Sequence, residues 1–262
     1  MTKPRGVMNA LALSLLVGLL AACGGGTERP RVVVAAASDL RFAFEEMEAP
    51  FEARCECDLV FTFGSSGLLS TQISQGWDVD VFASADTAYV DSLDEQGLLL
   101  DGTAQLYAIG RIVIAVPASS PLEASSLGDL VRPEFKAIAI ANPEHAPYGR
   151  AAKEALESAG VWHTVQGRLV LGENASLATQ FVETRNVEAG IVPLSLAVQR
   201  ESLLRYSLID DSQHEPLRQV VAVMRSSAQP GLAIAFLEFV NGADGRELMR
   251  RFGFLLPGET VE

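Results

Sequence analysis

From Arg31 onward the chain alternates short β-branched or alanine-rich runs with helical patterns, and this alternation limits its possible folds more than any other feature. Residues 32–37 (VVVAAA) are apolar throughout and too few for a buried helix, so they read as a strand covered on both faces. Leu40, Phe44, Met47 and Phe51 then recur at helical spacing, with Ser38 at the N-cap position. The unit repeats: a strand at 58–63, the turn Gly64-Ser65-Ser66-Gly67, and a helix carrying Leu68, Leu69 and Ile73 that stops at Gly76. A third strand, 79–84, leads to a helix ending near Gly97. Residues 111–117 (RIVIAVP) restart the pattern, with further strands at 136–141, 168–171 and 189–192. Between them lie a short helix ending at Asp129-Leu130, a helix at 150–159 and one carrying Leu177, Phe181 and Val182. A strand at 218–224 and helices at 232–240 and 246–252 complete the chain. Such alternation predicts βαβ units and an α/β fold with mainly parallel sheets. No Ser- or Pro-rich linker separates the two sets, which points to lobes joined by crossing strands.

The first segment is an address label. Lys3 and Arg5 precede an apolar run, residues 10–22, which is shorter than the roughly 20 residues needed to span a bilayer. The tetrapeptide Leu20-Ala21-Ala22-Cys23 resembles a bacterial lipobox, which implies cleavage before Cys23 and a lipid on its sulfur; a soluble secreted protein cut near Ala22 is the alternative. The whole chain has 262 residues, 20 Lys plus Arg against 33 Asp plus Glu, and a net charge of -13. Removing residues 1–22 takes away two cations and no acid, leaving 18 against 33 and a net charge of -15. Nucleic acid is excluded as a partner, because that affinity comes from clustered cations.

Cys55 and Cys57 flank Glu56. They can pair in an oxidising compartment, but at i,i+2 of an extended chain their side chains leave opposite faces, so two free thiols at a strand entrance are an equal expectation. Zinc spacings, a P-loop, GxGxxG and HExxH are all absent, and no cofactor is expected. Three strand-to-helix turns share one character: Ala37-Ser38-Asp39, Gly64-Ser65-Ser66-Gly67 and Gly172-Glu173-Asn174-Ala175. Each puts small or hydroxyl residues and free N–H groups at the carboxyl edge of a sheet, where α/β proteins gather ligands and where helix N-termini favour anions. Plain N-capping is the alternative role for each serine. The enzyme alternative is a secreted hydrolase using Ser66 and His145, which requires His145 within about 3 Å of the Ser66 hydroxyl.

Four segments also carry a family likeness: VVVAAASDL (32–40), FTFGSSGLLSTQISQGWDVDVFASAD (61–86), IAIANPEHAPYGRAAKEALESAGVW (138–162) and VEAGIVPLSLA (187–197). Together they resemble the periplasmic molybdate-binding proteins of molybdate ABC importers, and the likeness runs in order through most of 31–255. It implies a two-lobed periplasmic-binding-protein fold of the second type, each lobe a sheet flanked by helices. Lobe 1 would be 31–110 plus 218–262, lobe 2 would be 111–217, and 23–30 would be a lipid-anchored linker. It further implies a monomer, held to the membrane through Cys23, that captures molybdate or tungstate and hands it to a membrane permease. Molybdenum would be held only as the oxyanion. Carried over by motif, the contacts fall on Ser38, Ser66 and the backbone N–H groups of Tyr148 and Ala175, with Asp39, Ser65 and Pro193 as secondary members. Pro193 departs from the pattern: several relatives have a tyrosine there whose hydroxyl reaches the anion, whereas proline offers neither hydroxyl nor N–H. Asp39 would repel the ligand unless it points away. Another oxyanion such as sulfate is the rival ligand.

Overall fold

The computed structural model describes residues 29–259; the leader at 1–22 and the lipobox cysteine, Cys23, lie outside the described residues. The chain enters with β1 (Arg31–Ala37), a 3-10 turn at Ser38–Leu40, α1 (Arg41–Cys55), β2 (Asp58–Gly64), α2 (Ser66–Ser74), β3 (Val81–Ser84), α3 (Thr87–Glu95) and β4 (Gln105–Gly110). It crosses over at Arg111 into β5 (Ile112–Pro117), β6 (Ile138–Ala141), α4 (Pro147–Ser158), α5 (Trp162–Val165), β7 (Leu169–Gly172), α6 (Ala175–Glu183), β8 (Ala189–Pro193), α7 (Leu194–Ala197) and β9 (Leu204–Leu208). It then crosses back into β10 (Leu217–Val223), α8 (Pro230–Asn241) and α9 (Ala243–Arg251).

Two five-stranded sheets result, ordered β2-β1-β3-β10-β4 and β7-β6-β8-β5-β9, so the same pattern is built twice. The strands that arrive straight from a crossing, β10 and β5, each insert between two strands of the receiving sheet and pair antiparallel with both. β1 pairs in parallel with β2 and β3, and β6 with β7 and β8, the connections between them running through helices. The expectation of mainly parallel sheets holds: in each sheet four strands run the same way, and the single opposing strand, β10 or β5, makes the sheet mixed. The two crossings are tied together where Arg111 and Asp211 form an ion pair at 3.5 Å and the Ile209 N–H donates to the Ile112 carbonyl at 3.1 Å.

The local readings mostly hold, and their failures have causes. β4 and β9 escaped the sequence pattern because both are sheet-edge strands with polar or half-exposed positions. Ser38 does not cap α1; the chain runs through the 3-10 turn first, and Leu40 holds the cap position. Cys55 and Cys57 form a disulfide with Cα atoms 5.1 Å apart. The chain there is not extended: α1 runs to Cys55 and Glu56 turns left-handed with φ of 52°, which brings both sulfurs to one side.

Both faces of each sheet are covered. One apolar cluster runs from Val34 and Phe44 through Ala108 and Ile112 to Ile114 and Ile140, so the two lobes share a continuous core. At its lobe 1 end the Phe236 ring of α8 meets Phe44 and Phe51 of α1 edge-on, at 5.5 and 5.3 Å, and Phe61 of β2 at 6.2 Å. Phe236→Ala is expected to cost about 3–5 kcal/mol in urea unfolding. A loss below about 1 kcal/mol would mean that the cluster does not anchor these elements.

Candidate functional site

Four chain segments leave the carboxyl ends of parallel strands and meet between the lobes. From lobe 1 come the turn after β1, with Ser38 and Asp39, and the turn after β2, with Ser65 and Ser66; from lobe 2 come the starts of α4, with Tyr148, and α6, with Ala175. All six residues line one small cavity of about 10 Å³, and all six are buried. That space is far below the roughly 300 Å³ or more that organic ligands use. No Lys, Arg or His lines it.

Two serines hold their protons ready. The Ser66 hydroxyl accepts from the Ala85 N–H at 3.0 Å, and the Ser38 hydroxyl accepts from the Ser176 N–H at 3.2 Å. A serine oxygen that already accepts from a backbone amide keeps its own O–H to donate elsewhere. Neither serine caps the helix that its own turn leads into; Ser38 serves instead a first-turn amide of α6 on the other lobe. Ser66, Tyr148 and Ala175 stand in the first turns of their helices, where N–H groups have no carbonyl one turn back. Asn174 caps α6 in the ordinary way, its side-chain oxygen accepting from the Leu177 N–H at 3.0 Å.

Ser65 plays a different part. Its hydroxyl donates to the His145 carbonyl at 2.6 Å and lies 2.8 Å from His145 Nδ1, so its proton is committed to a bridge between lobes. The Gly67 N–H donates to the same carbonyl at 3.0 Å, and a Cβ on Gly67 would lie only 2.7 Å from it, which is why the turn ends on glycine. This geometry also disposes of the Ser66–His145 pair, because His145 faces Ser65 while Ser66 is held by Ala85. Pro193 is not among the lining residues. It ends β8, buried and paired with Ile112.

The lobes are joined by further polar contacts around the cavity. Ser176 and Ser38 bond reciprocally, the Ser176 hydroxyl donating to the Ser38 carbonyl at 2.9 Å, and the Ser195 hydroxyl donates to the Asp39 carbonyl at 2.8 Å. Arg150 pairs with Asp86, and the Arg200 guanidinium stacks 4.4 Å above the Phe42 ring. None of these partners was visible in the sequence, apart from the general expectation that lobes close. Gln219 left a trace: it is a polar residue set directly before the apolar run 220–224, and it is fully buried. Its side-chain nitrogen donates to Asp39 Oδ2 at 2.9 Å and to the Tyr148 hydroxyl at 3.3 Å, while the Tyr107 hydroxyl donates to its oxygen at 3.3 Å. The Tyr148 side chain thus points into this network, and a Cβ on Gly110 would overlap its hydroxyl, so the crossing strand also leaves room for it.

Asp39 is 1% exposed and has no cationic partner. Burial raises its carboxyl from the ordinary 3.8 to about 7, against smaller opposing effects of hydrogen bonds from Tyr148, its own backbone and Gln219. The folded state therefore keeps a proton that the unfolded chain loses. Asp39's contribution to stability is fully present below about pH 4, declines as pH rises, and is gone above about pH 7. Relative to Asp39→Asn, the unliganded protein is expected to lose up to about 4 kcal/mol between pH 4 and pH 8 in urea unfolding. Parallel stability curves for the two proteins would refute the shift.

The model for the family described as bacterial extracellular solute-binding proteins matches residues 32–255. The chain is 31% identical over 264 residues to the molybdate-binding protein ModA of Mycobacterium bovis, covering 96% of this chain and 98% of that protein. It is 29% identical over 247 residues to the molybdate-binding protein ModA of Rhodobacter capsulatus, covering 94% and 95%. Among solved structures, the Azotobacter vinelandii periplasmic molybdate-binding protein superposes with a TM-score of 0.81 at 26% identity, over 86% of this chain and 99% of that one.

Proposed function

The chain belongs to the bacterial extracellular solute-binding proteins, and we propose that within this family it captures molybdate, or tungstate, outside the cytoplasm and delivers it to an ABC importer. The observation that carries this reading is the pair of serine hydroxyls, Ser38 and Ser66, each fixed as an acceptor from a backbone amide, each left with one proton to donate, and both in the lining of a cation-free cavity. First-turn amides of Ser66, Tyr148 and Ala175 add donors from both lobes. A set made almost wholly of neutral donors suits an ionised acceptor, because each bond to a charged group nets about 1.5–3 kcal/mol against its dehydration. The mature charge of -15 does not forbid this, since screening confines long-range repulsion to about 8 Å at physiological salt.

Closure follows from the same donors. An anion bound by groups of both lobes favours the closed arrangement by the difference in its affinity for the two states, and a permease that recognises that arrangement receives only loaded protein. The lobes in this reading are 31–110 with 218–262, and 111–217. The lipobox at Cys23 would keep the protein as a monomer at the membrane surface, with 23–30 as the tether. No step of this role calls for catalysis, and the relatives are named for binding.

Separate calorimetric titrations with molybdate, tungstate, sulfate and phosphate test the reading. Molybdate and tungstate are expected to bind tightly and sulfate weakly, because the anions share charge and shape and differ in size. Ser38→Ala and Ser66→Ala are each expected to weaken binding by about 10- to 150-fold. Tighter binding of sulfate than of molybdate would reassign the ligand, and silence toward all four would remove the receptor reading.

A further inference from the structure

One group in the cavity runs against its purpose. Asp39 lines the same space as the donors, next to Ser38, and is as buried as they are. An ionised carboxylate there would face a dianion across a few ångströms with no cation between them. Its hydrogen bonding resolves the conflict. Oδ2 accepts from the Gln219 amide, whereas Oδ1 is buried with no partner. A proton on the carboxyl therefore belongs on Oδ1, and the neutral acid then offers one more donor in a cavity where Pro193 supplies none.

We propose that oxyanion capture by this protein is proton-coupled: Asp39 binds the anion only as the neutral acid, so wherever that carboxyl is ionised in the unliganded protein the anion enters with one proton taken up on Asp39. The inference rests on the oxyanion reading above. Burial already brings this carboxyl to the edge of neutrality without a ligand, and a dianion in the same cavity pushes in the same direction.

The surrounding groups leave Asp39 as the titrating one. Tyr148 from α4 and Tyr107 from β4 share its network and are pushed well above the ordinary tyrosine range by burial, so both stay neutral. β10 contributes Gln219, α6 contributes Ser176 and α7 contributes Ser195, none of which titrates. From α1 the neighbouring cation, Arg41, is partly exposed and paired with Glu45. At the crossings, Arg111 is paired with Asp211, and at the cleft rim Arg150 is paired with Asp86 and Arg200 with Glu183. His145 touches the site through Ser65, so its replacement is the control for the assignment to Asp39.

Calorimetry with molybdate and with tungstate, between about pH 6.5 and about pH 9 in buffers of different ionisation enthalpy, yields affinity and proton uptake together. The expected result is uptake approaching one proton per anion at the alkaline end, with affinity falling by up to about tenfold per pH unit above about pH 7. Asp39→Asn, whose amide keeps the shape and a donor, is expected to bind with no linked proton and an affinity that no longer varies with pH. His145→Asn is expected to keep the wild-type slope. Flat affinity and no uptake in the wild-type protein would overturn the proton coupling while leaving the receptor reading intact. A slope that survives in Asp39→Asn and vanishes in His145→Asn would move the coupling to His145 and overturn the assignment. Failure of the wild-type protein to bind either anion even at about pH 6.5, where Asp39 is mostly neutral, would overturn the receptor reading itself and the coupling with it.

Discussion

The first amides of a helix have no acceptor inside the helix, and the site in this molecule follows from where three such helix starts come together. α2, α4 and α6 each begin directly after the carboxyl end of a strand, and the β1 turn joins them. The parallel pairs β1–β2 and β6–β7 set neighbouring carboxyl ends side by side within each lobe. The antiparallel strands β5 and β10 have another duty: they carry the chain between lobes, and Gln219 of β10 reaches the floor of the cavity from there. The mixed character of the sheets is thus a division of labour, with parallel strands aiming helix starts and antiparallel strands making the hinge.

The electrostatics of the cleft are those of neutral donors rather than of charge. Where the lobes meet, Arg150, Arg200 and Arg111 are paired with Asp86, Glu183 and Asp211, all outside the cavity lining. A ligand held this way is recognised by how many donors it can satisfy at once, which makes cavity dimensions and closure the selective variables. Asp39 is the exception that tests the rule. Burial favours its uncharged form, and in that form the carboxyl has a proton to donate like the neutral groups around it.

Much of this was legible because local sequence dictates local structure. Strand, small or hydroxyl turn and helix follow one another three times, and the residues those turns nominated, Ser38, Asp39, Ser65, Ser66 and Ala175, all line the cavity. The finer assignments failed wherever the partner lies far away in the chain. Ser38 lost its capping role to Ser176, 138 residues on, and Ser65 rather than Ser66 took His145, 80 residues on. Gln219 reaches Asp39 across 180 residues, and only its polarity beside the apolar run 220–224 marked it. The disulfide was misjudged for a local reason: one left-handed residue, Glu56, changes the geometry that an extended chain would impose.

Pro193 shows why side-chain identity is a poor guide to such a site. Its replacement of a tyrosine suggested a lost donor, yet Pro193 does not line the cavity, and the Tyr148 hydroxyl is bonded to Gln219 so that only its first-turn amide is free to serve the cavity. Main-chain donors are supplied by backbone position and survive exchange of the side chain, provided that the strand, turn and helix keep their course. A fold that superposes on a solved relative at a TM-score of 0.81 with 26% identity has kept that course while most residues changed. What must stay fixed in such a lineage is small: hydroxyls where an amide pins their oxygen, glycine where the lobes touch at Gly67, and room for the ring that leaves the cavity at Gly110. Divergence among chains of this kind should therefore gather in the side chains that surround the donors, and Asp39 is such a place in this one.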